Sequence, residues 1–274
     1  MYMRLLNTMS PFLGKKKFQR FFEKLHLFSL YGMNYGRSGD IETSGEEQVF
    51  GLIKKQFAGI ANGVFLDCGA NIGEYALGLA ANIPEGSKIY AFEPGKAPFT
   101  KLADSTRHLS KITAVNKGVG EKNETVALFS NTVTTKHSSL FKRDMRHWGE
   151  EFSLKDPETI DLIRLDNFLT ENQIQHVHFI KIDVEGYEMN CLRGLGDYLT
   201  SGKVDMIQFE FGVATIDAKV FFKDFYYLLN AEYAIYRILK DGYYLIKNYN
   251  EVLEVFITTN YLAVSRKLEL KSPM

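Results

Sequence analysis

The sequence predicts an α/β protein built on a doubly wound, mostly parallel sheet that is preceded by N-terminal helices. Strand-like apolar runs alternate with segments of helical spacing, which is the pattern of a sheet covered by helices on both faces. The run at 176–183 becomes almost wholly apolar, as expected for a strand with both faces covered. An Asp241-Gly242 pair between two later runs predicts a hairpin, and hence an antiparallel strand at one edge.

The elements follow from local signals along the chain. Ser44 is a candidate N-cap for a helix that ends near residue 57, because two glutamates open it and apolar residues recur at helical spacing. Pro84 and Gly86 end the next predicted helix. The remaining predictions are strands at 64–67, 88–93, 111–115, 159–165, 176–183, 204–210 and 260–265, an extended piece at 124–130, a hairpin at 233–246, helices at 73–82, 97–107, 187–195 and 217–230, and a short helix opening at Asp166.

Three regions are expected from this order. Residues 1–43 would form a basic and aromatic helical extension, residues 44–266 the main domain, and residues 267–274 a short tail. A polar segment at 131–158 interrupts the alternation of strands and helices. We expect this segment to be an insertion on the substrate side of the domain.

A nucleoside site is predicted where the first strand ends. Residues 64–75 read V-F-L-D-C-G-A-N-I-G-E-Y, so that Asp67 ends an apolar run and Gly69 and Gly73 follow in a turn. Glycine permits a tight turn and close approach of backbone to a ligand at a helix N-terminus. Glu93 ends the next strand, 20 residues past Gly73. A carboxylate there can accept hydrogen bonds from both hydroxyls of a ribose.

The turn favours S-adenosylmethionine over a dinucleotide. A dinucleotide site uses G-x-G-x-x-G around a pyrophosphate, whereas this chain has Asp67 at the strand end and Asn71 in the turn. An acid would repel a pyrophosphate and attract the ammonium group of S-adenosylmethionine. Three alternatives stay open: an NAD-dependent oxidoreductase, a non-catalytic nucleoside-binding module, and a tight turn whose acid only caps a helix.

Composition argues against several classes of protein. The formal net charge is +0 and the pI is about 7.0, without the basic footprint that a nucleic-acid partner usually requires. Cys68 and Cys191 lie in segments predicted to be buried, which favours reduced thiols in a cytoplasmic protein. No apolar run approaches the ~20 residues of a membrane span, and we expect no signal peptide.

The N-terminal stretch combines basic and aromatic residues. Its basic residues are Lys15, Lys16, Lys17, Arg20 and Lys24, interleaved with Phe18, Phe21, Phe22, Leu25 and Phe28. This pattern fits a basic amphipathic helix that rests on an anionic membrane. We favour the alternative, a helix that packs its aromatic side on the domain or on a partner subunit of a homo-oligomer.

Several motifs together resemble the FkbM-like methyltransferases, which use S-adenosylmethionine and mostly methylate hydroxyl oxygens. The matching segments are V-F-L-D-C-G-A-N-I-G at 64–73, F-E-P at 92–94, I-R-L-D at 163–166, I-K-I-D-V-E-G-Y-E at 180–188, F-E at 209–210 and N-Y-L-A at 260–263. The resemblance covers about residues 44–266 and implies a class I methyltransferase fold of the Rossmann-like type. It implies an O-methyltransferase without selecting its acceptor. We expect a hydroxyl of a saccharide or glycoconjugate, with a polyketide or other small molecule as the alternative.

The resemblance also implies a set of cofactor-binding residues. The turn after the first strand would surround the methionine end of S-adenosylmethionine, and Glu93 would hold its ribose. The predicted cofactor-binding residues are Asp67, Gly69, Ala70, Asn71, Gly73, Glu93, Pro94 and Asp183.

Asp183 and His137 are the predicted catalytic residues. Asp183 should point into the crevice where strand order reverses, and it could accept the hydroxyl proton, orient a ligand or cap the next helix. His137 belongs to the segment expected to roof the pocket, and histidine suits general-base work near neutrality. Asp183, Glu185 and Glu210 could together hold Mg²⁺, but no metal is predicted.

Other residues of interest have plainer predicted roles. Glu188 is expected on a helix surface or in an internal salt bridge, and Lys181 is expected to pair with an acid. His176 and His178 are predicted to be structural. Trp148 could stack on a sugar ring or fill a small core.

Overall fold

The computed structural model describes residues 10–37, 41–130, 138–143, 145–147, 149 and 156–271. The strands are β1 (Val64–Cys68), β2 (Lys88–Phe92), β3 (Ile112–Val115), β4 (Gly118–Gly120), β5 (Glu124–Ser130), β6 (Asp156–Arg164), β7 (Val177–Ile182), β8 (Val204–Phe211), β9 (Tyr233–Leu239), β10 (Gly242–Leu245) and β11 (Thr259–Ser265). The helices are α1 (Gln19–Gly32), α2 (Ile41–Ser44), α3 (Glu46–Phe57), α4 (Glu74–Ala80), α5 (Lys96–Thr106), α6 (Leu165–Glu171), α7 (Glu188–Gly194), α8 (Asp197–Thr200), α9 (Val213–Ala218) and α10 (Phe222–Leu229). Single 3₁₀ turns lie at Lys16–Phe18 and Glu251–Leu253.

The main sheet has eight strands in the order β3-β2-β1-β7-β8-β11-β9-β10. The five strands from β3 to β8 are parallel to one another, β11 runs antiparallel to both of its neighbours, and β10 is antiparallel to β9. The predicted doubly wound, mostly parallel sheet with an antiparallel edge strand is therefore confirmed. The chain builds outward from β1 in one direction and resumes at β7 on the other side, so the crevice of such a fold lies at the tips of β1 and β7.

A separate three-stranded sheet, in the order β4-β6-β5, stands beside the main one. The sequence analysis did not separate the segments at 124–130 and 159–165 from the main sheet, and it did not predict β4. A Cβ at Gly118 would press on the Leu162 side chain, so the close approach of β4 to β6 depends on glycine. The single helix predicted at 217–230 is also wrong, because α9 ends where Lys219 adopts a left-handed φ of 55° and α10 begins at Phe222.

Buried apolar side chains cover both faces of the main sheet. On one face α6, α7 and α10 supply Leu165, Cys191 and Phe225, which pack on the strands. On the other face α3 and α4 supply Ile53 and Leu79. Both cysteines are buried free thiols, as expected. The two layers hold the strand tips in fixed positions, which is what a site at those tips requires.

The N-terminal helix α1 packs on the domain less than expected. Leu30 is its one buried residue, whereas Phe21 and Phe28 are 57% and 75% exposed. The aromatic side therefore does not pack on the domain at these residues, and its packing on a partner subunit stays a prediction. Within the described ranges no helix is long and apolar enough to cross a bilayer. The domain limits at residues 43 and 266 stay predictions.

Candidate active site

The turn after β1 is held between the tips of β2 and β7. The backbone N–H groups of Gly69 and Ala70 both donate to the carbonyl oxygen of Phe92, at 3.0 and 2.9 Å. Gly69 has a φ of +86°, and a Cβ at this position would overlap the carbonyl oxygen of Asp183. Only glycine satisfies both conditions, so the turn can press directly against β7.

Glu93 ties the turn to the tip of β2. Its Oε2 accepts from the backbone N–H of Asn71 at 2.9 Å, and its Oε1 accepts from that of Gly95 at 2.8 Å. Asn71 has a left-handed φ of 47°, which asparagine adopts more readily than most residues. Its side-chain oxygen Oδ1 is buried and has no hydrogen-bond partner among the residues that the structure describes. The turn thus presents one unpartnered acceptor and one fixed carboxylate.

The Glu93 carboxyl group has an altered proton affinity. Burial raises its pKa to about 7, and the two backbone N–H groups limit that rise. Each oxygen still has a free lone pair, because an ionised carboxylate offers about four acceptor sites and only two are used. Glu93 can therefore accept further hydrogen bonds from a ligand.

A row of polar residues crosses the sheet below the turn. Asp67 of β1 pairs in register with Lys181 of β7, which pairs with Gln208 of β8. Their side chains point to one face, where α3 and α4 add Glu46 and Tyr75. Gln208 accepts from the Tyr75 hydroxyl at 2.8 Å and donates to Glu46 at 2.9 Å. The row places an ion cluster in the middle of an otherwise apolar layer.

Lys181 is the cation of this cluster. Its Nζ lies 2.9 Å from Oδ2 of Asp183 and 4.6 Å from the centre of the Tyr75 ring, so the expectation that it pairs with an acid is confirmed. Burial alone would lower the pKa of Lys181, but the charges of Asp183, Glu46 and Asp67 raise it above its ordinary value. Lys181 therefore stays protonated and faces three carboxylates.

Asp67 lies deeper than a ligand-contacting residue would. Its side chain is 0% exposed, and burial raises its pKa to about 6, which Lys181 partly opposes. Neither oxygen accepts a well-formed hydrogen bond within the described part of the chain, although a weaker interaction with the Ala76 backbone stabilises its charge. Asp67 therefore acts on the space above it through its charge and through the turn that it supports.

A cavity of about 790 Å³ opens above the turn, which is within the usual range for ligand pockets. Six of the predicted site residues line it: Gly69, Ala70, Asn71, Glu93, Pro94 and Asp183. Asp67 and Gly73 do not line it, because Asp67 is fully buried and Gly73 faces Leu102 and Ser105 of α5. The predicted base His137 lies outside the described residues, as does Trp148, but Ser138 and Leu140 from the same segment do line the cavity.

Arg143 fixes the roof segment to the rim of the cavity. Its Nη1 lies 2.9 Å from Oε2 of Glu185, and its Nε lies 3.2 Å from Oδ2 of Asp217. Ser139 adds a hydrogen bond from its hydroxyl to the Glu185 backbone oxygen at 2.7 Å. Arg143 is only 3% exposed, and its positive charge is paired with these two carboxylates. Sequence analysis missed this residue.

The model of the methyltransferase FkbM domain matches residues 67–238, which is more than half of the chain. The chain belongs to the FkbM methyltransferase family. The matched range begins at Asp67 and contains the turn, the tip of β2 and the whole D-V-E-G-Y-E segment. The strands described above give this family member the class I, Rossmann-like fold.

Curated relatives match part of their length. Methyltransferase 1 of Beauveria bassiana is 32% identical over 145 residues, covering 48% of this chain and 58% of the relative. The hexuronic acid methyltransferase AglP of Haloferax volcanii is 24% identical over 170 residues, covering 62% of this chain and 64% of the relative. The alignments thus span about three fifths of the length of these relatives.

Solved methyltransferase structures resemble the chain distantly. The O-methyltransferase from Bacillus cereus, solved with SAH, has a TM-score of 0.45 at 11% identity and covers 96% of this chain and 97% of that one. Aeropyrum pernix fibrillarin, solved with S-adenosyl-L-methionine, has a TM-score of 0.43 at 12% identity and covers 81% and 76%. At this distance the two structures carry no argument about the activity or the acceptor of this chain.

Glu188 closes the D-V-E-G-Y-E turn of this family member. Its Oε1 accepts from the backbone N–H groups of Val184 and Gly186, both at 3.0 Å. The prediction of a surface residue or salt-bridge partner is therefore wrong, because Glu188 is 1% exposed and reaches back into its own turn. Burial raises its pKa to about 7. The residue shapes the rim without lining the cavity.

Glu210 is the penultimate residue of β8 on the same rim and lines the cavity. Burial raises its pKa well above the ordinary value, and the charges of Asp183, Glu185 and Glu188 raise it further. No ion pair to Glu210 occurs among the described side chains. It therefore differs from Asp183 and Glu185, each of which has a cation at 2.9 Å.

Within the described ranges, the one group of side chains close enough to share a metal ion is His176, His178 and Asp205. Asp183, Glu185 and Glu210 do not form such a group. His178 Nδ1 accepts from the Val64 backbone N–H at 3.0 Å, so a neutral His178 carries its proton on the other nitrogen. His176 pairs with Asp205 at 2.9 Å. These contacts fit the structural role expected for both histidines.

Proposed function

We propose that this methyltransferase transfers a methyl group from S-adenosylmethionine to a hydroxyl of a saccharide or glycoconjugate. The single observation that carries the proposal is the cradle at the tips of β1 and β2. There, one cavity is lined by a backbone turn with no room for a Cβ at Gly69, by a buried acceptor at Asn71 and by a fixed carboxylate at Glu93. The Asn71 acceptor has no hydrogen-bond partner among the described residues. These groups fit a nucleoside that offers hydroxyl and ammonium donors.

The charge of the cavity floor supports the cofactor. Three carboxylates, on Glu46, Asp67 and Asp183, surround the single ammonium of Lys181, so the floor carries net negative charge whenever the acids are ionised. A cationic ligand is favoured over such a floor, and a pyrophosphate is disfavoured. In this proposal Glu93 accepts the ribose hydroxyls and Pro94 packs beside them. Asp183, whose charge is paired with Lys181, orients the methionine end.

The bound cofactor supplies an electrophilic methyl group on a sulfonium sulfur. The chain must hold the acceptor hydroxyl in line, exclude water and take up the hydroxyl proton. Asp183 and Glu210 are the two candidates on the rim to accept that proton. Their ion pairs and the pKa of Glu210 decide which of them is the better general base. Glu210 has no paired cation among the described side chains and has a raised pKa, so we place it ahead of Asp183 as the general base.

The rim favours a neutral acceptor rich in hydroxyls. Glu185 and Glu210 offer no positive charge to an anionic group, and Arg143 is already paired with two carboxylates. The similarity to a protein named a hexuronic acid methyltransferase supports a saccharide acceptor, although the present rim suits a sugar hydroxyl better than a uronate.

Transfer of labelled methyl tests this proposal. The purified chain is incubated with labelled S-adenosylmethionine and a panel of neutral saccharides, uronic acids, small alcohols and polyketides, with and without a chelator. We expect chelator-resistant labelling of a neutral saccharide by the wild type and none by Glu93→Ala, with Glu85→Ala, an exposed matched change, as the control. Labelling confined to small alcohols or polyketides would contradict the assignment, and so would a nicotinamide-dependent absorbance change with an alcohol in a parallel assay that contains NAD.

A further inference from the structure

One side of the helix α1 is exposed and has no partner among the residues that the structure describes. Phe21, Leu25 and Phe28 recur at the spacing that places them on one side of a helix, and they are 57%, 42% and 75% exposed. Leu30, the buried residue of α1, comes nine positions after Phe21, which is two and a half turns at 3.6 residues per turn. The helix therefore rests on the domain with one side and turns the aromatic side outward.

Basic residues accompany this apolar face. Lys15, Lys16 and Lys17 precede the helix, and Arg20 and Lys24 lie within its first turns, all of them exposed. Between residues 10 and 37 there are six Lys or Arg residues and one acid, Glu23, which gives a formal charge of +5 in a chain whose total is +0. The charge is therefore concentrated beside the exposed aromatic residues.

We infer that the α1 surface, defined by Lys15–Lys17, Arg20, Phe21, Lys24, Leu25 and Phe28, docks on an anionic lipid surface. An apolar stripe flanked by lysine and arginine is what an interfacial helix needs, because the stripe enters the acyl boundary and the cations meet the headgroups. A second copy of the chain is the poorer occupant, because pairing two such surfaces would bring two formal charges of +5 together. The helix has 14 residues and is about 21 Å long, so it lies along the bilayer surface.

The segment that follows α1 is hydrogen-bonded to the candidate active site. The backbone N–H of Gly36 donates to the carbonyl oxygen of Thr258 at 3.0 Å, and Thr258 lines the cavity. The Tyr35 hydroxyl, just before this point, accepts from Arg237 of β9 at 2.8 Å. If α1 lies on a lipid surface, the cavity rim therefore has a fixed position relative to that surface.

Vesicle co-sedimentation of the full chain tests this inference. One set of vesicles contains phosphatidylcholine alone, and the other contains equal parts of phosphatidylcholine and phosphatidylserine. We expect binding to the second set only, and weaker binding as salt is raised. The double change Lys16→Glu with Arg20→Glu should weaken binding by at least about 30-fold, since each basic residue near an anionic surface contributes about a factor of five.

The apolar part of the surface has its own variants and controls. Phe21→Ser with Phe28→Ser should abolish sedimentation, whereas Val252→Ser, at an exposed apolar residue elsewhere, and Lys88→Glu, at an exposed lysine of β2, should leave it unchanged. Circular dichroism and cofactor binding should match the wild type in all variants. Equal binding to neutral vesicles, binding that survives both double changes, or a dimer in light scattering that Phe21→Ser with Phe28→Ser abolishes would overturn the inference.

Discussion

Ionisation of Glu93 should control the affinity for S-adenosylmethionine between pH 6 and pH 8. Burial raises the pKa of Glu93 to about 7, and only the ionised carboxylate can accept the ribose hydroxyls while both oxygens also accept backbone N–H groups. If the ionised form alone binds, about one tenth of the protein is competent one unit below the pKa. The affinity at pH 6 should therefore be about tenfold lower than at pH 8.

The same pKa predicts an opposite trend for the stability of the free protein. The folded state holds the Glu93 proton more tightly than the unfolded state, because the pKa rises from 4.5 to about 7 on folding. The free energy of unfolding should thus fall as pH rises from about 4.5 to about 7, by about 3 kcal/mol from this residue. Affinity for the cofactor and stability of the free protein therefore change in opposite directions over the same interval.

Calorimetric titration and urea unfolding at several pH values measure both trends, with Glu93→Gln as the matched variant. Calorimetry in two buffers of different ionisation heat should show about half a proton released on binding at pH 7. The Gln variant should release no proton on binding at pH 7. Its free energy of unfolding should also lack the fall with rising pH that Glu93 causes. A flat affinity from pH 6 to pH 8 in the folded wild type, or an unchanged pH dependence in the variant, would refute the role of Glu93.

Three further changes test other parts of the site. Gly69→Ala should lose cofactor binding and at least about 1–2 kcal/mol of stability in thermal unfolding, from left-handed backbone strain alone, whereas Gly59→Ala, which has open space, should not. Lys181→Met leaves buried carboxylates uncompensated and should cost about 3–5 kcal/mol in urea at pH 8, against less than about 0.5 kcal/mol for the exposed Lys88→Met. Glu210→Gln should lower kcat by about 10²–10⁴-fold with cofactor affinity unchanged, and should remove the acidic limb of the pH–rate profile. An unchanged melting temperature in the first, unchanged stability in the second or unchanged kcat in the third would contradict the corresponding role.

Local signals in the sequence predicted most of the main sheet. The alternation of apolar runs with helical spacing depends on residues that are close in the chain, and so does the glycine turn after β1. The second sheet was missed because β4 is three residues long and includes Gly118 and Gly120, so it carries no periodic pattern. The end of α9 was not predicted because Lys219 has a left-handed backbone conformation, which is uncommon for lysine.

The acids at the strand tips were predicted, but their partners were not. Asp67, Lys181 and Gln208 form one row only because of the pairing register of three strands that are distant in sequence. Arg143 contacts Glu185 and Asp217, which are 42 and 74 residues away in the sequence. The polar segment that contains Arg143 has no sequence pattern that predicts such distant contacts.

The conformation of its turn explains why the predicted surface or salt-bridge role of Glu188 is wrong. Its carboxylate reaches the backbone two and four residues earlier because Glu185 and Gly186 have φ values of 53° and 106°. These positive angles belong to the folded turn, and the sequence indicated only that a glycine was present.

The central claim is that the cavity above the β1 turn holds a sulfonium nucleoside by its ribose and its methionine end. A crystal structure with S-adenosylhomocysteine measures this most directly. The ribose hydroxyl oxygens should lie about 2.5–3.0 Å from the carboxylate of Glu93, and the amino-acid end of the ligand should lie against the turn at residues 69–71. A ligand seated in another cavity, or one whose ribose makes no contact with Glu93, would contradict it.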